Sequence, residues 1–215
     1  EAMIEKGRRL ANNGYACVIQ DVRGRWDSDG THYALFNHAE DGFDTQEWIG
    51  QQEWSDGNIG MAGGSYGGWV QWQSAPLRSE YLKCLAPRVM CGDLYTGLIH
   101  PGGAFQLNVA LTWGMRTNGR TAQSIEYHNW TEAFRSTPLV DMDHLAGREL
   151  RFWRDWVSHT EYDDYWDSVN IETKWDQFAV PALVMGGWYD LYAQNAFINF
   201  NGLKLNGRKI GRAHV

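Results

Sequence analysis

The chain has 215 residues and a formal net charge of −7, with 43% hydrophobic and 14% aromatic residues. That length suits one domain, or one domain with an insertion. The basic residues are scattered, which argues against a nucleic-acid-binding face, and no apolar run approaches the roughly 18 residues of a membrane span. We therefore expect a globular protein with neither a nucleic-acid nor a membrane partner.

Both ends of the sequence indicate a fragment of a longer protein. The chain opens at Glu1 without an initiator Met, so the lack of a signal peptide does not identify the compartment. Residues 210–215 have the sequence obtained by translating a common sequencing adapter, and we expect this tail to be non-native. Cys17, Cys84 and Cys91 lie in or beside apolar runs and are predicted to be buried free thiols. Their small number favours a reducing, cytoplasmic compartment without deciding it.

The first half of the chain alternates strand-like and helix-like segments. Apolar runs predict strands at 15–20, 58–62 and 81–90, the first as a buried strand of a parallel sheet. Helical spacing of apolar residues predicts helices at 41–54 and 69–75. This alternation is typical of an α/β fold built on a parallel sheet.

Residues 63–67, Gly-Gly-Ser-Tyr-Gly, match the pattern G-x-S-x-G. Between a strand and a helix, this pattern is typical of a nucleophile elbow, a strained turn that exposes a serine hydroxyl. Ser65 is therefore the candidate nucleophile. The backbone N–H of Tyr66, at the helix N-terminus, is the candidate oxyanion donor. The alternative is a glycine-rich turn with an incidental serine, and the flanking strand and helix favour the nucleophile.

The pattern changes near Gly92. From there the sequence shows no strand alternation, and residues 139–159 carry a broad apolar stripe that predicts one helix. We interpret this stretch as an α-helical insertion rich in aromatic residues. The sheet pattern resumes at 180–187, and Asp190 follows the carboxyl end of that predicted strand. Catalytic groups of open α/β sheets gather at such ends.

Asp190 is the candidate acid of a catalytic triad, because in α/β-hydrolases the acid and then the histidine follow the serine. It would hold the imidazole in one tautomer, and the alternative role is to cap the helix that follows it. The one histidine after Asp190 is His214. No apolar strand is predicted to lead to it, and it lies in the suspected tail. We expect the catalytic histidine to be missing from this chain and the other six to have surface or packing roles.

Several segments in this order resemble the family of cocaine esterase and X-Pro dipeptidyl-peptidase-like hydrolases. The matching segments are 14–24 (GYACVIQDVRG), 41–49 (DGFDTQEWI), 54–61 (WSDGNIGM), 64–66 (GSY), 93–95 (DLY), 101–104 (PGGA) and 187–190 (GWYD). Together they are far more specific than the serine motif alone, and they span nearly the whole chain.

The resemblance implies a partial α/β-hydrolase core with a mostly parallel sheet, interrupted by an α-helical cap. The core would occupy residues 1–92 and 173–209, and the cap residues 93–172. The resemblance also implies Ser65 as nucleophile, Tyr66 as main-chain oxyanion donor and Asp190 as triad acid. The second oxyanion donor and the histidine of the family lie in segments that this sequence does not contain.

The predicted reaction is two-step acyl transfer on a small-molecule ester, amide or X-Pro-type peptide. Ser65 attacks the carbonyl, an acyl-enzyme forms, and water releases it. Cap tryptophans would close over an apolar group, although core packing is favoured for most of them: Trp130, Trp153, Trp156 and Trp166. Among enzymes, the alternatives are an α-amino-acid ester hydrolase and a simple carboxylesterase. For the 215-residue chain as given, the sequence favours a fragment that keeps its fold but cannot turn over. No metal or cofactor is predicted, and the oligomeric state stays open.

Overall fold

The computed structural model describes residues 2–207 and 210–214. Its strands are β1 (Ile59–Gly64), β2 (Leu82–Arg88), β3 (Ala182–Gly186) and β4 (Ile210–His214). Its α-helices are α1 (Ala2–Ala11), α2 (Ala39–Gly50), α3 (Tyr66–Ser74), α4 (Leu107–Thr117), α5 (Trp130–Ala133), α6 (Met142–Leu145), α7 (Arg151–Ser158), α8 (Asp164–Asp167) and α9 (Ala193–Leu205). A π-helix spans Tyr95–Ile99, and 3₁₀ turns span Ala75–Leu77, Pro101–Gly103, Leu139–Asp141 and Glu172–Gln177.

The described strands form one parallel sheet in the order β1-β2-β3-β4. Each consecutive pair is joined through helices, because parallel neighbours need a crossover connection. α3 packs on β1 and β2, and α9 packs on β3 and β4. The predicted α/β class with a mostly parallel sheet is confirmed. In this topology the carboxyl ends of all four strands lie along one edge, where Ser65 follows β1 and Asp190 follows β3.

The strands predicted at 58–62, 81–90 and 180–187 are present as β1, β2 and β3, and the predicted helices at 41–54 and 69–75 correspond to α2 and α3. These elements have strong local signals. β1 and β2 are short apolar runs bounded by turns, and α2 begins with acidic residues that complement its dipole.

The strand predicted at 15–20 is wrong for the described structure. This segment has no regular secondary structure, and Tyr15, Val18 and Ile19 are 65%, 41% and 47% exposed. A strand exists through hydrogen bonds to a neighbour, and none of the described strands borders this segment. The buried thiols were also predicted wrongly in part: Cys17 and Cys84 are exposed, and Cys91 is buried.

The chain between β2 and β3 is helical, with many aromatic side chains in its core. Trp153, Trp156 and Trp166 are fully buried there, in keeping with the packing role expected for most of the tryptophans. The single helix predicted over 139–159 is wrong, because the chain forms α6 and α7 with a break between them. Gly147 in this break has φ 97°, a backbone conformation that ends a helix and that glycine adopts without strain.

Residues 210–214, expected to be part of a non-native tail, pair in register with β3, from Ala182 opposite Ile210 to Gly186 opposite His214. The backbone therefore does form a strand that leads to His214, and the expectation that no strand leads there is wrong. The side chain of His214 lies outside the described part of the structure, as does Val215. Among the described helices, none combines the length and apolar character needed to cross a membrane.

Candidate active site

Ser65 occupies the tight turn between β1 and α3. Its backbone has φ 53° and ψ −124°, in the left-handed half of φ space that non-glycine residues rarely enter. The amide of Ser65 donates to the carbonyl of Arg88 in β2 (2.9 Å), and its carbonyl accepts from the amides of Gly68 (2.7 Å) and Trp69 (2.9 Å). Sheet and helix thus hold this strained backbone from both sides, while the side chain stays exposed.

Two glycines allow the strand and the helix to approach each other this closely. A Cβ on Gly63 would lie 2.7 Å from the carbonyl oxygen of Gly67, and a Cβ on Gly68 would lie 3.1 Å from that of Arg88. The G-x-S-x-G spacing therefore has a steric cause, because the first glycine of the pattern faces the backbone of the last one.

Tyr66 is the first residue of α3, so its amide has no acceptor within the helix. It adjoins Ser65 at the end of the helix that carries the positive part of the dipole. The Tyr66 hydroxyl has two hydrogen-bond partners. It accepts from the amide of Leu35 (3.0 Å), and it lies 2.6 Å from Nε2 of His38. Burial raises the pKa of Tyr66 well above its ordinary value, so the phenol is neutral.

An apolar cavity of about 160 Å³ opens beside Ser65. Residues from the loop before α2, the start of α3, the π-helix, α4, α7 and the turn after β3 line it: Leu35, Ser65, Tyr66, Met90, Leu98, Ile99, Val109, Ala110, Trp113, Trp156, Leu191 and Tyr192. None of these lining residues carries a formal charge at pH 7. Because Ser65 is exposed and also lines the cavity, its hydroxyl stands at the opening of an apolar chamber.

Asp190 is half-buried in the turn that joins β3 to α9. Its Oδ1 accepts from the amide of Tyr192 (2.8 Å) and its carbonyl accepts from the amide of Ala193 (3.0 Å). These contacts shape the turn before α9, but the N-cap of α9 is Tyr192 and has no side-chain cap hydrogen bond, so the alternative that Asp190 caps this helix is wrong. Leu191 and Tyr192, which follow it directly, line the Ser65 cavity. The structure thus brings the Asp190 turn to the cavity, and no described hydrogen bond joins Asp190 to Ser65.

The six histidines before Asp190 do not contact the Ser65 hydroxyl through any described hydrogen bond. His159 pairs with Asp163 through Nδ1 (2.5 Å), and His100 stacks on Tyr95 with ring centroids 4.6 Å apart. His38 is buried against Tyr66, and burial lowers its pKa to about 4. These contacts agree with the packing and surface roles expected from the sequence. Within the described residues, no group of three or more His, Cys, Asp or Glu side chains is suited to hold a metal ion.

Sequence reasoning missed Leu35 and His38. Both belong to the loop before α2, where it gave Leu35 no role and His38 only a surface or packing role, and nothing in the local pattern of that loop indicates contact with the helix after Ser65. Their contacts with Tyr66 join residues 28 and 31 positions apart. A tertiary contact of this kind leaves no periodic signal in a single sequence.

A parallel sheet with helical crossovers and a serine in a strained strand-to-helix turn defines the α/β-hydrolase fold. Solved structures agree. The chain superposes on an aminopeptidase from a marine sediment Thaumarchaeota archaeon with TM-score 0.79 at 22% identity, covering 97% of this chain and 38% of that one. An α-amino acid ester hydrolase gives TM-score 0.73 at 22% identity, covering 93% and 36%.

Sequence comparison gives the family. Residues 1–214 match the sequence model of the X-Pro dipeptidyl-peptidase (S15) family, and the chain belongs to that family. It is 33% identical to the cocaine esterase of Rhodococcus sp. (strain MB1 Bresler), over 92% of this chain and 37% of the esterase. The chain thus spans little more than a third of the length of this relative.

Proposed function

We propose that this chain carries the nucleophile of a serine hydrolase that works through an acyl-enzyme on Ser65. The observation that carries the proposal is the Ser65 turn: a serine with φ 53°, fixed by β2 and α3, whose exposed hydroxyl stands at the opening of an apolar cavity. A residue is held in strained backbone at such a place only where the surroundings enforce it, and this strain presents the hydroxyl to a bound carbonyl.

In the proposed reaction, Ser65 Oγ attacks the carbonyl carbon of the substrate, and the π electrons move to the carbonyl oxygen. The amide of Tyr66 donates a hydrogen bond to this oxyanion. Collapse of the tetrahedral intermediate expels the alcohol or amine and leaves an ester on Ser65, which water then cleaves. Asp190 is the proposed triad acid. Its Oδ1 already accepts the Tyr192 amide, so its other oxygen would orient the base.

The proton of Ser65 needs an acceptor, and none of the histidines with described side chains reaches it. Without such a base, a triad enzyme keeps only the part of its rate that comes from binding and the oxyanion site. We propose that this base is a histidine outside the described side chains; if it also lies outside the 215 residues, this chain alone hydrolyses esters far more slowly than a longer chain that includes it.

Within the serine hydrolases, the cavity favours a simple carboxylesterase. Its volume of about 160 Å³ is close to that of an apolar cavity of ~150 Å³ known to hold benzene. A dipeptidyl-peptidase needs charged groups to hold a free amino terminus, and the lining residues supply none. The proposed substrate is an ester whose acyl or alcohol part is uncharged, apolar and about the size of one aromatic ring. The Rhodococcus relative is likewise named an esterase.

Hydrolysis by the complete gene product tests this proposal. We expect p-nitrophenyl benzoate and butyrate to be cleaved with a higher kcat/KM than alanyl-proline p-nitroanilide, and Ser65→Ala to abolish both activities. Ser79→Ala is the matched control, because Ser79 is buried and its hydroxyl bonds Glu47, away from the cavity residues. Faster cleavage of the X-Pro substrate would contradict the esterase assignment, and activity retained by Ser65→Ala would contradict the nucleophile.

A further inference from the structure

The loop at residues 33–38, which we call the clamp loop, is held against the start of α3 by hydrogen bonds between its backbone and two aromatic side chains. The amide of Leu35 donates to the hydroxyl of Tyr66 (3.0 Å), and the indole N–H of Trp69 donates to the carbonyl of Leu35 (2.7 Å). Leu35 is 2% exposed and has φ 66°, an uncommon conformation for a bulky residue. Both backbone polar groups of this strained residue are thus fixed by side chains of the helix that follows Ser65.

His38 completes the hydrogen bonding of the Tyr66 hydroxyl. Its Nε2 lies 2.6 Å from Oη of Tyr66, and the two rings meet edge to face with centroids 5.1 Å apart. Because Oη accepts the Leu35 amide, its own proton needs an acceptor, and the unprotonated Nε2 of a neutral imidazole provides one. Burial lowers the pKa of His38 to about 4, so near pH 7 the ring is neutral and carries its proton on Nδ1.

We propose that His38 is a positioning residue that acts through Tyr66. By accepting a hydrogen bond from the phenol it fixes the side chain of Tyr66, whose backbone N–H is the proposed oxyanion donor, and it keeps Leu35 in place at the cavity wall. The inference rests on the function proposed for Ser65 and Tyr66.

The contacts of the Tyr66 ring do not fix the position of its hydroxyl, which is set by the hydrogen bonds described above. The ring of Tyr66 stacks on Trp113 with centroids 6.2 Å apart, which fixes its plane but leaves the hydroxyl to be placed by hydrogen bonds. If the acceptor is removed, the buried phenolic O–H has no hydrogen-bond partner. Because an unpaired buried donor is costly, the ring moves toward another acceptor, and the backbone that carries it moves too. A displacement near 1 Å at a reacting centre costs about hundredfold in rate.

Three substitutions of His38 separate positioning from simple packing. His38→Leu removes the acceptor. His38→Gln can place its amide oxygen where Nε2 lies, whereas the shorter His38→Asn reaches only the position of Nδ1. Ser79→Ala is the control, because it removes a partly buried hydrogen bond of the same 2.6 Å length between Ser79 and Glu47.

Two measurements on the complete gene product decide the question. The first is the reaction of Ser65 with a fluorophosphonate, resolved into a binding constant and a rate constant. We expect His38→Leu and His38→Asn to lower the rate constant by about tenfold to a hundredfold with little change in binding, and His38→Gln and Ser79→Ala to stay near the wild type. The second is hydrogen exchange at the Leu35 amide, which should become faster in the Leu and Asn variants alone.

Wild-type rate constants in both His38→Leu and His38→Asn would overturn the inference, and so would unchanged exchange at Leu35. His38→Asn answers the question even where His38→Leu does not fold. Failure of the wild type to react with the probe would instead overturn the proposed function. The exchange measurement does not depend on catalysis, so in that case it still decides whether His38 holds the clamp loop.

Discussion

Replacing Gly63 by Ala places a methyl group against the backbone of α3. The new Cβ would lie 2.7 Å from the carbonyl oxygen and 2.9 Å from the carbonyl carbon of Gly67, distances at which one of the two backbones must move. Forced packing of this kind costs about 1–3 kcal/mol. In a chain of this size each kcal/mol lowers Tm by about 2–4 °C, so we expect Gly63→Ala to melt roughly 2–12 °C below the wild type.

The other glycine of the same motif is the control. A Cβ on Gly67 would meet no atom within 4 Å outside its own helix, and alanine is favoured over glycine within a helix by up to about 1 kcal/mol. We expect Gly67→Ala to melt at or above the wild-type temperature. Thermal melts followed by circular dichroism at 222 nm, at matched concentration and scan rate, give the Tm of the wild type and of both variants. If Gly63→Ala were as stable as Gly67→Ala, the steric account of the turn would be refuted.

Three further predictions concern the cavity and buried charges. Ile99→Ala should cost about 2–5 kcal/mol in urea unfolding and should raise kcat/KM for bulkier acyl esters relative to butyrate, because Ile99 is a buried residue of the cavity wall. Burial, with Asp93 nearby, raises the pKa of Glu172 from 4.5 to about 7. The folded protein therefore binds the extra proton, and stability should fall as pH rises from about 4.5 to 7. Glu172→Gln should flatten that decline in Tm. Asp143→Asn should cost about 1.5–3 kcal/mol in urea unfolding, because Asp143 is fully buried and its carboxylate accepts from Arg154 and from the amide of Leu150, and a loss below 1 kcal/mol would contradict this.

The part of the fold that sequence could predict is the part with local causes. The turn at Ser65 requires glycines, because a Cβ added at these positions would collide with backbone. The motif therefore predicts the geometry of the turn directly. β1, β2 and β3 are apolar runs, and each of them pairs with a parallel neighbouring strand. The segment at 15–20 has an equally apolar sequence and yet forms no strand, because the described structure offers it no neighbour. Strand formation depends on the partner as much as on the run itself.

The candidate site could be predicted only where it is carried by a motif. Ser65, Tyr66 and Asp190 became candidates because they come after predicted strands, and their catalytic roles stay predictions. The clamp loop could not, because its place is set by two hydrogen bonds of the Leu35 backbone, whose amide donates to Tyr66 and whose carbonyl accepts from Trp69. A leucine with positive φ gives no sequence signal, since propensity favours other residues there.

If Ser65 is the nucleophile, a reagent that mimics the acyl group must form its covalent adduct on this residue. The complete gene product is treated with a fluorophosphonate, digested and mapped by tandem mass spectrometry. We predict one modified residue, Ser65, and no modification of Ser65→Ala under the same conditions. An adduct on another serine, or undiminished labelling of Ser65→Ala, would contradict the assignment of Ser65 as the nucleophile.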